Sequence, residues 1–149
     1  MATAGTHIFR VALWDDPSVH RDIEIDDGKS LYDLAKGIVR AFDFDFDHAF
    51  GFYSGLTDET LREARPKYEL FADMGEAGDA ESVRKTRVAA AFPAIGHTLV
   101  FLFDYGDEWL FRVEMIGSGA KIPGARYPKV LAKAGSAPEQ YPEWEEDEE

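Results

Sequence analysis

Three acids and a tryptophan crowd one short segment, Phe103-Asp104-Tyr105-Gly106-Asp107-Glu108-Trp109. Asp104, Asp107 and Glu108 are hard oxygen donors, a set able to ligate a divalent cation or activate a water, with His48 brought in from another strand. Their spacing matches no established donor motif, and there is neither an HExxH run nor a pair of closely spaced histidines. Turn chemistry weighs more. Gly106 and Asp107 suit a tight reversal, and Asp104 suits accepting backbone hydrogen bonds or pairing with a cation.

Two other constellations invite the same comparison. Asp43, Asp45 and Asp47 alternate ahead of His48 as acids do in calcium loops, yet the glycine and distal glutamate of an EF-hand are missing. A solvated loop edge accounts for them, and a satisfied structural role accounts for His48. Arg21 falls on the apolar side of a strand, where an unpaired guanidinium is costly. A structural ion pair from Arg21 to Asp104 or Asp107 is therefore expected. No catalytic residue, cofactor or metal ligand is assigned. Arg21, His48, Asp104, Asp107, Glu108 and Trp109 are read as one structural or binding cluster. No G-x-S-x-G, P-loop or G-x-G-x-x-G occurs, and the chain has no cysteine.

Strands, hairpins and one helix must position these residues. Phe9, Val11 and Leu13 alternate, Asp15–Ser18 carries turn residues, and Val19, Ile23 and Ile25 return as a half-buried partner. Ser30 with Asp33 forms a capping-box signature ahead of Leu31, Leu34, Ala35, Ile38, Val39 and Phe42. That spacing predicts a helix over 31–42 with one buried stripe. A strand is expected at 49–53, a helical turn near 58–64, a short strand at 68–71, a mobile loop at 75–79 and a short helix at 88–92. Residues 97–105 are apolar on both faces and predict a central strand. Leu99, Phe101, Phe103 and Tyr105 share one side, and Val100 and Leu102 the other. Trp109, Phe111, Val113 and Met115 predict its one-sided hairpin partner. Gly117–Gly119 reads as the hairpin exit and 127–131 as a docking element.

The resulting class is α+β, an antiparallel-dominated sheet with an N-terminal ββα unit of β-grasp-like kind, a second hairpin and one main amphipathic helix. Residues 1–137 are expected to form one domain and 138–149 an extended acidic tail, anchored by Tyr141 and Trp144. At 149 residues the chain is long enough for a sizeable core. Its 45% apolar content excludes a disordered body. A net charge of −13 makes generic nucleic-acid binding a poor expectation, because such affinity comes from Lys and Arg neutralising phosphates. The basic groups Arg62, Arg65, Lys67 and Arg84, Lys85, Arg87 read as solvated faces. No run approaches a membrane span, the N-terminus lacks signal-peptide features, and a cytoplasmic location is expected.

Several segments resemble the plasmid pRiA4b ORF-3-like family, insertion-element passenger proteins of TnpR-like name. The hairpin Phe103–Trp109 is similar to its aromatic-Asp-Phe-Gly-Asp-x-Trp motif, the most specific piece. Val19–Ile23, Leu31–Phe44, Asp47-His48, Lys85-Thr86, Tyr127–Leu131 and Ala137–Glu139 follow in the family's order. Asp43 stands where the family usually has glycine, Phe44 where it has tryptophan, and Tyr105 where it has phenylalanine. The family's cysteine-containing C-terminal motif is absent. The resemblance implies a small α+β fold on a ββα unit and brings no activity. A non-enzymatic module that binds another protein is the leading expectation. A metal-dependent hydrolase or nuclease using Asp104, Asp107, Glu108 and His48 is the alternative, and a nucleic-acid-associated protein of a mobile element the third. Oligomeric state is not legible.

Overall fold

The structure is a computed structural model that describes residues 5–76 and 78–141. Strand β1 (Gly5–Leu13) turns back into β2 (His20–Asp26), and helix α1 (Leu31–Ala41) follows. Strands β3 (Phe50–Tyr53) and β4 (Lys67–Glu69), helix α2 (Leu70–Asp73), strand β5 (Glu81–Ser82) and helix α3 (Val88–Ala91) make the middle of the chain. The hairpin β6 (Thr98–Phe103) and β7 (Trp109–Ala120) and a last strand, β8 (Lys129–Ala134), complete it.

The α+β class is as expected, with sheet predominating over a few helices. All strands join one mixed eight-stranded sheet in the order β5-β4-β3-β6-β7-β1-β2-β8, a larger layer than two hairpins supply. Hairpins β1–β2 and β6–β7 are antiparallel and meet through an antiparallel β1–β7 contact, whereas β4 and β5 run parallel. Strand β6 lies inside the sheet, between β3 and β7, and both its faces are buried. Leu99, Phe101 and Phe103 enter the main core; Val100 and Leu102 enter a smaller one with Tyr53 and Leu61.

Helix α1 covers the main face. Leu31, Leu34, Ala35, Ile38, Val39 and Phe42 are all fully buried, and each large side chain contributes about 1.5–3 kcal/mol of apolar burial. The Ser30 hydroxyl accepts from the Asp33 amide while the Asp33 carboxylate accepts from the Ser30 amide, so the capping box forms in both directions. At the other end the amides of Asp43 and Phe44 donate to the carbonyls of Arg40 (3.0 Å) and Val39 (2.9 Å). This is a Schellman closure, and it places Asp43 at φ 62°. A left-handed backbone at this position favours glycine, the residue that the family resemblance led one to expect here.

Several expectations are corrected. Strand β7 runs on through Gly117–Gly119, because β1 pairs with it as far as Gly5 opposite Ala120. Tertiary pairing thus overrides the weak strand preference of glycine. Residues 70–71 open helix α2 instead of extending a strand, whereas the helical turn expected near 58–64 is present, the Ala64 amide donating to the Thr60 carbonyl at 3.3 Å. Residues 129–134 are a strand paired with β2. Trp144 and the acidic run 143–149 lie outside the described residues, and no described helix is long and apolar enough to cross a membrane.

Candidate functional site

Phe103 ends β6 and Trp109 begins β7, opposite one another, so residues 104–108 must reverse the chain. The left-handed conformations fall on Asp104 (φ 71°) and Glu108 (φ 56°), not on Gly106. Asp104 closes the turn with its own carboxylate, whose Oδ1 accepts from the amides of Gly106 (3.0 Å) and Asp107 (3.3 Å). Gly106 serves a different need from the one its sequence position suggests. A Cβ there would stand 3.3 Å from Asp104 Oδ1 and crowd the acceptor. The kink at Asp104 also breaks the strand's alternation. Tyr105 therefore joins Val100 and Leu102 on the smaller core, against the expectation that it would follow Phe103.

The second Asp104 oxygen faces His48. His48 Nε2 lies 3.3 Å from Asp104 Oδ2, 3.6 Å from Asp47 Oδ1 and 2.7 Å from the Tyr141 hydroxyl. Tyr141 donates its single proton to Asp47 Oδ2 at 2.9 Å. The His48–Tyr141 contact must then run from Nε2–H to the phenol oxygen, which fixes the proton on Nε2. Loss of solvent around the ring and the bond to Asp47 push the Tyr141 phenol up to about 12. Gln140 adds three ties, accepting from the Asp45 amide at 2.7 Å and donating to the Asp45 carbonyl at 3.1 Å and to Asp47 Oδ1 at 3.3 Å. The Asp45–His48 loop thus holds Gln140 and Tyr141. Tyr141 anchors as expected; Gln140 carried no signal beyond its neighbourhood.

The other predicted residues separate from this group. Glu108 is exposed and pairs with Arg62 at 3.1 Å. Asp107 is exposed. Trp109 packs edge-on against Phe44, ring centroids 4.8 Å apart, and its buried Nε1 has no hydrogen-bond partner among the described residues. Arg21 is 4% exposed, as its apolar strand position demanded, but no carboxylate pairs with it among the described residues. Its Nε donates to the Ala41 carbonyl (3.2 Å). Its Nη1 lies 2.8, 3.0 and 3.1 Å from the carbonyls of His20, Ala134 and Gly135. The guanidinium also stands over the Phe42 ring at 4.9 Å. The expected ion pair is replaced by main-chain carbonyls, one of them at the end of α1, where the helix dipole favours a cation. Arg21 so ties α1 to the end of β8.

On the opposite face Tyr53 and Tyr105 form a second polar chain. Tyr53 gives its proton to Glu69 (2.5 Å), so the 2.7 Å contact between phenols must be donated by Tyr105. Burial pushes both phenols up, Tyr105 to about 12. A Cβ at Gly51 would come within 2.9 Å of both hydroxyls, so glycine is what lets them cross the strand. This chain was missed in the sequence, since its members lie 16 and 36 residues from one another.

Chemically the arrangement is closed. No group of three or more His, Asp or Glu side chains among the described residues is placed to hold a metal ion, so the metal alternative lacks a donor set there. Most members of the basic groups 62–67 and 84–87 are also engaged, with Arg62 paired to Glu108. Arg65 and Lys67 pair with Asp79, Arg84 lies over the Tyr32 ring, and Arg87 donates to the Gly28 carbonyl.

The fold is similar to the crystal structure of a protein of unknown function from Methanosarcina mazei Go1. The two share 18% identity and a TM-score of 0.72, over 91% of this chain and 72% of that one. No curated protein matches the chain. A family model described as plasmid pRiA4b ORF-3-like protein matches residues 6–141.

Proposed function

The chain belongs to the plasmid pRiA4b ORF-3-like family, and from that premise we propose a non-enzymatic module that binds another protein along strand β8. The observation that carries this reading is a contrast in use. Most of the acids nearest to chemistry are engaged by other groups of the chain, Asp104 by turn amides and His48, Asp47 by Tyr141 and Glu108 by Arg62, with Asp107 left exposed. Strand β8 lies at the end of the sheet order, with its outer edge unpaired among the described residues. Val130 and Leu131 on it are 40% and 46% exposed. An open edge with exposed apolar side chains is a template for an added strand. Lys129 and Lys133 favour an extended, acidic partner segment.

Leu131 tests the proposal. A tagged full-length chain recovered from native extract at moderate salt should retain one partner at fixed stoichiometry, and Leu131→Glu should abolish the retention. A partner held equally by Leu131→Glu, or none held at any salt, contradicts the proposal.

A further inference from the structure

A cavity of about 470 Å³ opens between α1 and the β2–β8 edge. Ile23, Ile25, Pro128 and Val130 supply apolar lining. Gly37 sets one wall: a Cβ there would lie 2.9 Å from Pro128 Cγ, so glycine lets the Tyr127–Pro128 bend lean on the helix. The charged lining is one-sided. Lys29, Lys36, Arg40, Arg126 and Lys129 line the cavity, against the single acid Asp33. Asp33 is already engaged in the α1 capping box.

Among the described residues none of those five cations forms a salt bridge, although Arg10, Arg62, Arg65, Lys67, Arg112 and Lys121 all do. Cations gathered at one cavity without a carboxylate partner among the described residues are unexpected in a chain of net charge −13, where acids are abundant. Lys36 and Arg40 stand one helical turn apart, a like-charge pairing that costs a few tenths of a kcal/mol without a counter-charge. The volume lies in the range of about 300–1,000 Å³ typical of small-ligand sites, which combine apolar walls with a few polar groups.

We infer that this cavity binds a small amphipathic anion, a phosphate or carboxylate head carried on a short apolar body. The head meets the cations and the body lies on the isoleucines and Val130. A long polyanion suits the site poorly, because it would run out over an acidic surface. A small anion feels mainly the charges within a Debye length of about 10 Å. The inference goes beyond the β8 reading; the two share Lys129 and Val130, whereas Leu131 does not line the cavity and separates them.

Octyl phosphate and octanoate are suitable probes, with inorganic phosphate and octyltrimethylammonium as controls, titrated into the full chain by calorimetry and amide NMR. At least one octyl anion should bind at one site per chain, roughly tenfold or more tighter than inorganic phosphate, and the cationic amphiphile should not bind. The two heads compared directly tell phosphate from carboxylate. Amide shifts should centre on Ile23, Gly37 and Val130. Lys36→Glu/Arg40→Glu should weaken binding about tenfold or more, as should raising the salt severalfold. If that variant does not fold, Lys36→Gln/Arg40→Gln should show a smaller loss in the same direction. No saturable binding of either anion overturns the inference. So does binding indifferent to salt and to both substitutions, or shifts spread over the whole surface. A Leu131→Glu variant that still binds octyl anions but loses its protein partner separates the two proposals.

Discussion

The β6–β7 turn and the α1–β8 cavity use charge in opposite ways. At the turn, acids outnumber bases, yet Asp104 is met by two amides and His48, and Glu108 by Arg62. At the cavity the cations are scattered through the sequence at 29, 36, 40, 126 and 129, and the fold gathers them without a carboxylate partner among the described residues, Lys129 alone lying over the Tyr127 ring. A dense charged motif can thus be spent on architecture, while a dispersed set stays available for a ligand. What decides is whether the backbone presents complementary groups at hydrogen-bond distance. Carbonyls and amides do so at a turn and at a helix end, and do not in an open groove.

Removing a spent cation should therefore cost far more than removing an unspent one. Arg21→Ala should destabilise by about 3 kcal/mol in urea unfolding, since the buried Ala41 carbonyl and the part-buried carbonyls of Ala134 and Gly135 lose their donor together with the packing on Phe42. Arg21→Lys should recover only part, because one ammonium cannot span the same acceptors. A neutral Arg21→Ala would break the comparison at its strongest point.

Tyr53→Phe should cost about 1–2 kcal/mol by leaving Glu69 and Tyr105 short of a partner. The sign of its pH dependence follows from the raised phenol. The contribution is complete below the ordinary value of 10.0 and is lost as pH rises above it, because the unfolded chain ionises first. Stability measured from pH 8 to 11 should fall more steeply in the parent protein than in Tyr53→Phe. Equal slopes would remove Tyr53 from the account.

Asp43→Gly should stabilise by about 1 kcal/mol, since its φ of 62° suits glycine and the Schellman bonds are backbone only. A loss instead would mean that the Asp43 side chain has a role of its own. The smallest effect belongs to the cavity. Lys36→Gln should leave stability unchanged or raise it by about 0.3 kcal/mol, by relieving repulsion from Arg40. A marked loss would show that Lys36 is already paired and would remove the contrast with Arg21.

Much of the fold was legible because its signals are local. The capping box at Ser30 and the stripe from Leu31 to Phe42 specify α1 directly, and the doubly apolar run at 99–103 marks an internal strand. The burial of Arg21 was legible too, from its place on an apolar face. Its partners were not, because main-chain carbonyls leave no trace in side-chain chemistry. Tyr105 was assigned to the wrong face for a related reason: alternation assumes an unbroken strand, and Asp104 at φ 71° interrupts it. The Tyr53–Glu69 contact and the cation-lined cavity depend on pairing across the sheet, and no local pattern encodes them. Asp43 was visible as a departure from the family, and only the backbone angle gives it a meaning.

The architectural role of the acids is tested most directly at Asp104, by comparing Asp104→Ala and Asp104→Asn in equilibrium unfolding. The alanine variant should lose about 2–3 kcal/mol, since the amides of Gly106 and Asp107 lose their acceptor. The asparagine variant keeps an acceptor oxygen and tolerates a left-handed backbone, and should lose about 1 kcal/mol or less. Two variants as stable as the parent would contradict the account, because the carboxylate would then be free of the turn it is said to build.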